Sequence, residues 1–471
     1  MSEAIQRPAP QRPPPQRPTP ASPAGAPVLW KAFLLFLGPM MLSNILQALS
    51  GTINGIYLGQ MIGVGALAAV SAFFPILFFF ISFIIGLGGG ASVLIGQAWG
   101  AKDPDKVKAI AGTTLAVTIL AGLAVALFGG AFARSLLAAV GTPPDILADS
   151  AAYGRIMLIA MPGLFVFLLM TSMMRGVGDT VTPLFVLLLQ TAIGLLLTPA
   201  LIRGWGGLPQ MGVLSGAYAA IVSFLVALAW LAIHLRRRGH ALAPDAVLLR
   251  HLWIDFRILR AVLRIGLPSG VQLVLVSVAE VAVLSFVNSY GSDATAAYGA
   301  VNQVVSYVQF PAISIAITAS IFGAQAIGAD RAGRLGAITR TGILLNLAIT
   351  GGLVAVAYLF SRTLMGFFLT SGPVIELAQT LLHITLWSYI MFGFAAVVAG
   401  VMRASGTVLA PMAISLCAIV GVEVPVAWWL SHSIGINGIW IAYPVAFTVM
   451  ALGQAAYYRL VWRKQAIRRL V

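Results

Sequence analysis

Long apolar runs alternate along the chain with short clusters of Gly, Pro and charged residues. The first runs fall at 28–57, 65–98, 108–139, 147–174, 181–202 and 211–235, and a second set at 263–290, 293–325, 336–361, 374–402, 407–431 and 437–461. Each is long enough for a helix of about 20 residues, the length that crosses a bilayer core. The pattern predicts twelve membrane-spanning helices in two sets of six. Between the sets lies a connector carrying Arg236, Arg237, Arg238, Arg250, Arg257 and Arg260. Residues 1–27 are rich in Pro, Arg, Gln, Ala and Ser and cannot bury enough apolar surface to fold. They are expected to be a disordered tail and not a secretory signal, with a polyproline ligand for some partner as the alternative reading.

Composition narrows the class. With 60% hydrophobic residues, 9% charged residues and a mean hydropathy of +0.97, the chain has too few charges to cover a water-soluble globule. A soluble enzyme is excluded. A net charge of +15 would raise the question of nucleic acid, but the basic residues sit in tails and short loops between apolar runs, where the positive-inside bias places them. Sorted by alternating sides, 24 of the 28 fall on the side of the termini, only Arg134, Arg203 and Arg362 on the other, and Arg155 just inside a span. Both termini and the connector are therefore expected in the cytoplasm. The single cysteine, Cys417, lies inside an apolar run and provides no disulfide framework.

The two sets are repeats. GQAWGAKD at 96–103 returns as AQAIGADR at 324–331, and MMRGVGDTVTP at 173–183 as VMRASGTVLAP at 401–411, both at an offset of 228. The offset also maps Gly63 onto Gly291, then slips by two, so that Pro199 matches Pro425 and Gly212 matches Gly438. Six spans per repeat is an even number, so the repeats are parallel. Two such halves around a central cleft suit a transporter working by alternating access. The expected organisation is an all-α integral membrane protein: tail 1–27, N-lobe 28–238, basic connector 239–262, C-lobe 263–462 and basic tail 463–471.

TINGIYLGQMIGVGALAAVSAFFPI, GQAWGAKD, and MRGVGDTVTP with its echo MRASGTVLAP resemble the multidrug and toxic compound extrusion (MATE) transporters, over essentially residues 30–462. The resemblance implies a two-lobed, twelve-span exporter, acting as a monomer in the plasma membrane. It would exchange cytoplasmic, often cationic, small organic compounds for H+ or Na+, with no other cofactor. Two departures stand out. Many members place an Asp in span one, five residues before the Gly of their loop, where this chain has Asn54 before Gly59; several have an acid in span ten, where the stretch from His383 to Arg403 has none. Asn54 cannot titrate and can at most coordinate a cation or hydrogen-bond substrate.

Ionisable groups within lipid are costly and normally face a cavity. Glu280 and Glu423 are the only carboxylates well inside spans, which makes them the candidate ion-coupling residues; other acids fall in loops, tails or near span ends. Glu280 ranks first. Ser277 and Asn288 flank it on one side of span seven at helical spacing, and the resemblance places an acid in this part of the span. Either carboxyl could instead be held permanently neutral by a hydrogen bond. In span eight, Tyr298, Asn302, Ser306 and Gln309 form a polar stripe suited to a cleft or to interhelical hydrogen bonds. Spans one, two, seven and eight should line the cleft. Arg175 and Arg403, at the exits of spans four and ten, read as helix-end cations near Gly178 and Gly406, or as a cytoplasmic gate.

Other chemistry finds no seat. The histidines form no close pair within a span, and His240 and His251 read as solvated connector residues. No paired-Asp motif suggests Mg2+ and pyrophosphate. Gly-rich GLGGGASVLIG lacks the Lys-Ser/Thr ending of a phosphate loop and reads as a surface for close helix packing. Two other readings fit the sequence less well. A lipid-linked precursor flippase of the same superfamily should carry more cations in the cleft than these spans provide. A membrane sensor or scaffold should carry a signalling domain or a long interaction tail.

Overall fold

The computed structural model describes residues 29–470; the Pro-rich segment 1–27 lies outside the described residues. Among these residues the secondary structure is helical throughout, without strands. Ten helices are long and apolar enough to span a bilayer: Leu29–Met61, Gly65–Gly100, Pro104–Ala139, Val181–Arg203, Gly212–Arg237, Phe256–Asn288, Ser292–Gly328, Ala332–Leu359, Leu409–Ile434 and Ile436–Lys464. Two bent pairs complete the twelve, Leu147–Ile159 with Met161–Gly176 and Gly372–Thr385 with Ser388–Ala404. In chain order these are spans one to twelve, the pairs being four and ten.

The bends are the main departure from the simple run of apolar helices. Span four turns by 53° at Ala160, two residues before Pro162, which has no N–H to continue the ladder across the break. Span ten bends by 40° without a proline. There the amide of Trp387 donates to the Tyr358 hydroxyl of span nine at 3.1 Å, and Ser388 Oγ donates to the Thr385 carbonyl at 2.5 Å. A side chain from a neighbouring helix has taken over part of the ladder.

The sequence repeat is also a repeat of backbone conformation. Among the described residues, the only non-glycine residues with positive φ are Lys102 (59°) and Asp330 (56°), which occupy equivalent places in the GQAWGAKD and AQAIGADR turns. Gly178 (94°) and Gly406 (82°) likewise end spans four and ten in the left-handed region that closes helices.

Within the first half, span two packs on spans three and four, and span five on spans one and six; within the second half, span eight packs on nine and ten, and span twelve on ten and eleven. The halves meet chiefly through spans two and seven, two and eight, and one and eight. This junction lies toward the end of the molecule that carries the termini. Gly86 and Gly90 of span two face Gly266 and Gly270 of span seven, where any added Cβ would collide with backbone across the contact. Nearer the end, Gly100 sits on Gln325 and Gly328 on Gln97 in the same way. The Gly-rich run of span two is thus a packing surface. Phe322 of span eight closes the contact edge-on against Phe33 and Phe36 of span one.

The seam is tied by a reciprocal pair of hydrogen bonds. Gln97 Nε2 donates to the Ala404 carbonyl at 2.8 Å, and Gln325 Nε2 to the Gly176 carbonyl at 3.0 Å. Each glutamine reaches into the opposite half and satisfies a carbonyl in the last turn of a helix, a group with no partner within its own helix. The chain's end crosses the same seam: the Leu470 amide donates to Gln97 Oε1 at 2.7 Å, and Arg469 pairs with Asp330.

The connector folds onto the first half. Asp245 caps the short helix Ala246–Arg250 and pairs with Lys108, while His240 faces Asp179 at 3.7 Å. Both connector histidines are half-buried instead of solvated, His251 lying over Gly112. Lys108, through its hydrogen bond, and the Leu248 amide hold the Asp245 carboxyl below the usual carboxylate range. Burial pushes the His240 imidazole down, with Asp179 opposing.

Candidate functional site

The C-lobe gathers its polar side chains into a cluster contributed by five spans. Glu423 ends a π-helical turn, Ile419–Glu423, in span eleven, and Pro425 follows in the next helical segment. A π turn widens the helix by one residue and is found disproportionately at functional sites. Glu423 is only 2% exposed. Glu280 of span seven is exposed, and the two carboxyl groups are close enough for their charges to interact with each other and with Tyr298.

Tyrosines complete the cluster. The hydroxyls of Tyr298 and Tyr443 are 2.8 Å apart, and Asn302 follows Tyr298 one helical turn later on the same span. Trp440 stacks on Tyr298 with ring centres 5.9 Å apart, and Tyr389 packs edge-on to Phe447 at 5.1 Å. A cavity of about 10 Å³ remains among Tyr298, Asn302, Thr385, Tyr389 and Tyr443, room for about one water molecule. Carboxyl, hydroxyl and amide oxygens in one place can hold a hard monovalent cation or pass a proton.

A second, larger cavity of about 350 Å³ lies nearer the seam. Spans two, four, seven, eight, ten, eleven and twelve contribute to its wall, whereas span one does not. Gln309 lines it, as do Arg175 and Arg403. Both arginines occupy the last turns of their helices. Their side chains nevertheless line a cavity, and the neighbouring carbonyls of Ala404 and Gly176 are held by the glutamines.

The polar stripe of span eight therefore divides, with Tyr298 and Asn302 at the carboxyl cluster and Gln309 at the larger cavity. Ser306 bonds back to the Asn302 carbonyl at 2.9 Å, and Asn288 Oδ1 accepts from Thr295 at 2.9 Å where spans seven and eight join. Ser277, Ser306 and Asn288 line neither cavity. Asn54 stands apart in the N-lobe, where its Oδ1 accepts from Thr198 Oγ1 at 3.3 Å. Arg155 donates to the Gly130 carbonyl at 3.1 Å and so serves the backbone of span three. Among the described residues, no group of His, Cys, Asp and Glu could hold a metal ion.

Sequence reasoning missed Thr385, Tyr389, Trp440 and Tyr443. The one available signal was a tyrosine within an otherwise apolar span, since a buried Tyr hydroxyl needs a partner.

Comparison with known proteins supports one family. The MatE family model matches residues 39–200 and 268–429, one match in each half. A probable multidrug resistance protein of Bacillus subtilis, YoeA, is 46% identical over 447 residues, covering 94% of this chain and 96% of that protein. The bent form of the Vibrio cholerae MATE transporter VcmN superposes with a TM-score of 0.84 at 21% identity, covering 92% of this chain and 97% of that one. An outward-facing multidrug resistance MATE transporter of the MOP superfamily also gives 0.84, at 22% identity and coverages of 92% and 95%. Two matched halves, the seam that joins them and a relative of nearly equal length agree: this chain is a multi-pass membrane transporter, not an enzyme, and belongs to the MATE family.

Proposed function

We propose that the protein is a secondary exporter that exchanges cytoplasmic small organic compounds, often cationic, for H+ or Na+, and that Glu280 and Glu423 form its coupling site. The observation that supports the reading is that the two carboxylates stand on spans seven and eleven, which pack on each other, within electrostatic reach of one another and of Tyr298. Carboxylates are costly within spans and are normally kept there for function, and two within each other's field favour shared handling of a cation or proton. The ionised pair attracts Na+ or a cationic compound, and protonation removes that attraction. One site can therefore hold only one of the competing ligands, which is the requirement for exchange.

The seam supports alternating access. The halves touch backbone to backbone at the termini-bearing end, and the bias of 24 of 28 basic residues favours a cytoplasmic location for that end. On that orientation the conformation is closed to the cytoplasm. The protein would sit in the bacterial inner membrane as a monomer. A cysteine at position 246, in a Cys417→Ala background, should stay unreactive toward an impermeant reagent added outside intact cells; labelling there would overturn the orientation.

Transport in sealed vesicles with separately imposed H+ and Na+ gradients tests the function. A gradient of one of these cations should drive uptake of an organic cation into inside-out vesicles, and Glu280→Gln should abolish it while the protein still reaches the membrane. Full cation-driven transport by Glu280→Gln would place coupling elsewhere.

A further inference from the structure

Arg175 and Arg403 occupy equivalent positions in the two repeats, and both line the same cavity of about 350 Å³. The wall contains no acidic residue. Among the described residues, the three salt bridges involve neither arginine, and neither donates a side-chain hydrogen bond. A guanidinium has five N–H donors and stays charged, so two without partners at a semi-buried wall are costly unless a ligand serves them. Neither donates to a helix-end carbonyl, and the Ala404 and Gly176 carbonyls are held by Gln97 and Gln325.

A second observation points the same way. Ser320 lines this cavity and is only 4% exposed, and its hydroxyl oxygen is without any hydrogen-bond partner. A buried hydroxyl is normally paired, and this one is left without a partner at the cavity wall. The opposite character is present in the same wall, where Ile313, Ile317 and Ile419 present apolar surface.

We infer that this cavity binds an amphipathic organic anion, its carboxylate or phosphate held by Arg175 and Arg403 and its apolar body laid along Ile313, Ile317 and Ile419. The site is separate from the carboxyl cluster and has the reverse charge. Since the arginines come from opposite halves, a bound anion joins the two lobes, and its occupancy favours the conformation in which both arginines face one cavity. The anion's source is either an acidic lipid headgroup or a soluble amphiphile.

The test uses the full-length protein in nanodiscs of phosphatidylcholine, with 1-pyrenebutyrate as the anionic probe and a pyrenyl trimethylammonium of equal ring size as the cationic control, after subtraction of empty discs. The anion should bind at least tenfold more tightly than the cation. Arg175→Gln and Arg403→Gln should each weaken anion binding at least tenfold, and the Lys variants less. Competition by phosphatidylglycerol built into the discs identifies a lipid ligand, and competition by added octanoate a soluble one; the absence of both, like unchanged binding in the two Gln variants, overturns the inference. Should the Gln variants fail to fold, hydrogen exchange of the wild-type protein decides. Probe-dependent protection of residues 316–321 and 403–408 is expected, and its absence rejects the site.

Discussion

At the seam the two lobes are alike, and at the carboxyl cluster they are not. Gln97 and Gln325, Gly100 and Gly328, and Arg175 and Arg403 are equivalent pairs at the offset of 228, and they make equivalent contacts or line the same cavity. The same offset takes Glu280, Tyr298, Asn302 and Tyr389 to Thr52, Val70, Phe74 and Met161, and the slipped offset of 226 takes Glu423 and Tyr443 to Leu197 and Ala217. Every ionisable member of the cluster has lost its counterpart. The repeat has been kept where the lobes must fit one another. At the carboxyl cluster it has not been kept, and the two carboxylates belong to one lobe.

The largest effect should separate the lobes cleanly. Glu280→Gln and Glu423→Gln should each lower gradient-driven export at least tenfold, with Glu423→Gln the milder of the two, whereas Asn54→Ala in the other lobe should change it less than about twofold. Vesicle transport rates read all three. An Asn54→Ala protein as impaired as Glu280→Gln would show that both lobes carry coupling.

Next comes the symmetric part. Gly100→Leu and Gly328→Leu each force a side chain into backbone of the opposite lobe and should cost about 3 kcal/mol each, seen as similar falls in the thermal unfolding midpoint in detergent. Unequal falls would mean that the seam is less symmetric than its contacts. Gln325→Ala leaves the Gly176 carbonyl unpaired, at about 1–2 kcal/mol. Gln97→Ala should cost more, because Gln97 also accepts from Leu470.

The smallest effects lie at the edges. Tyr298→Phe removes one buried hydroxyl pair, worth about 1 kcal/mol, and should shift the unfolding midpoint slightly. In the connector, His240 is held below its ordinary pKa, as is Asp245. For each, stability is present above the unfolded-state value and lost as pH falls through the lower folded-state value. Hydrogen exchange at residues 240–250 should therefore quicken as pH is lowered from neutral, first through His240 and then, below about 4, through Asp245, once rates are corrected for intrinsic exchange. Protection that grows on acidification would refute the sign.

The spans could be read in the sequence because lipid leaves little freedom: a long apolar run with few charges has to be a helix. The repeat was legible for a different reason, since Gly, Pro and charged residues at matched spacing mark turns, and Lys102 and Asp330 adopt the same rare φ. The bend in span ten was not legible, because its cause is a hydroxyl from span nine. Periodicity places residues on a helix face but does not say which helix will meet that face. Glu280 and Glu423 were therefore visible as isolated costs, while the tyrosines from spans ten and twelve became visible only through packing. Arg175 and Arg403 were placed at helix ends correctly, yet the ends proved to be served by glutamines of the other lobe.

The glycine pairs of the seam carry a consequence for leakage. A barrier made of long side chains can open by degrees, one rotamer at a time, and pass through apertures wide enough for a proton or a hydrated ion. Gly86 and Gly90 against Gly266 and Gly270 offer no such degrees, because their contact is main chain on main chain. Such a surface either fits or separates as a body. Its opening should be steep and concerted, with little time spent half open and little leakage of ions while the surfaces part.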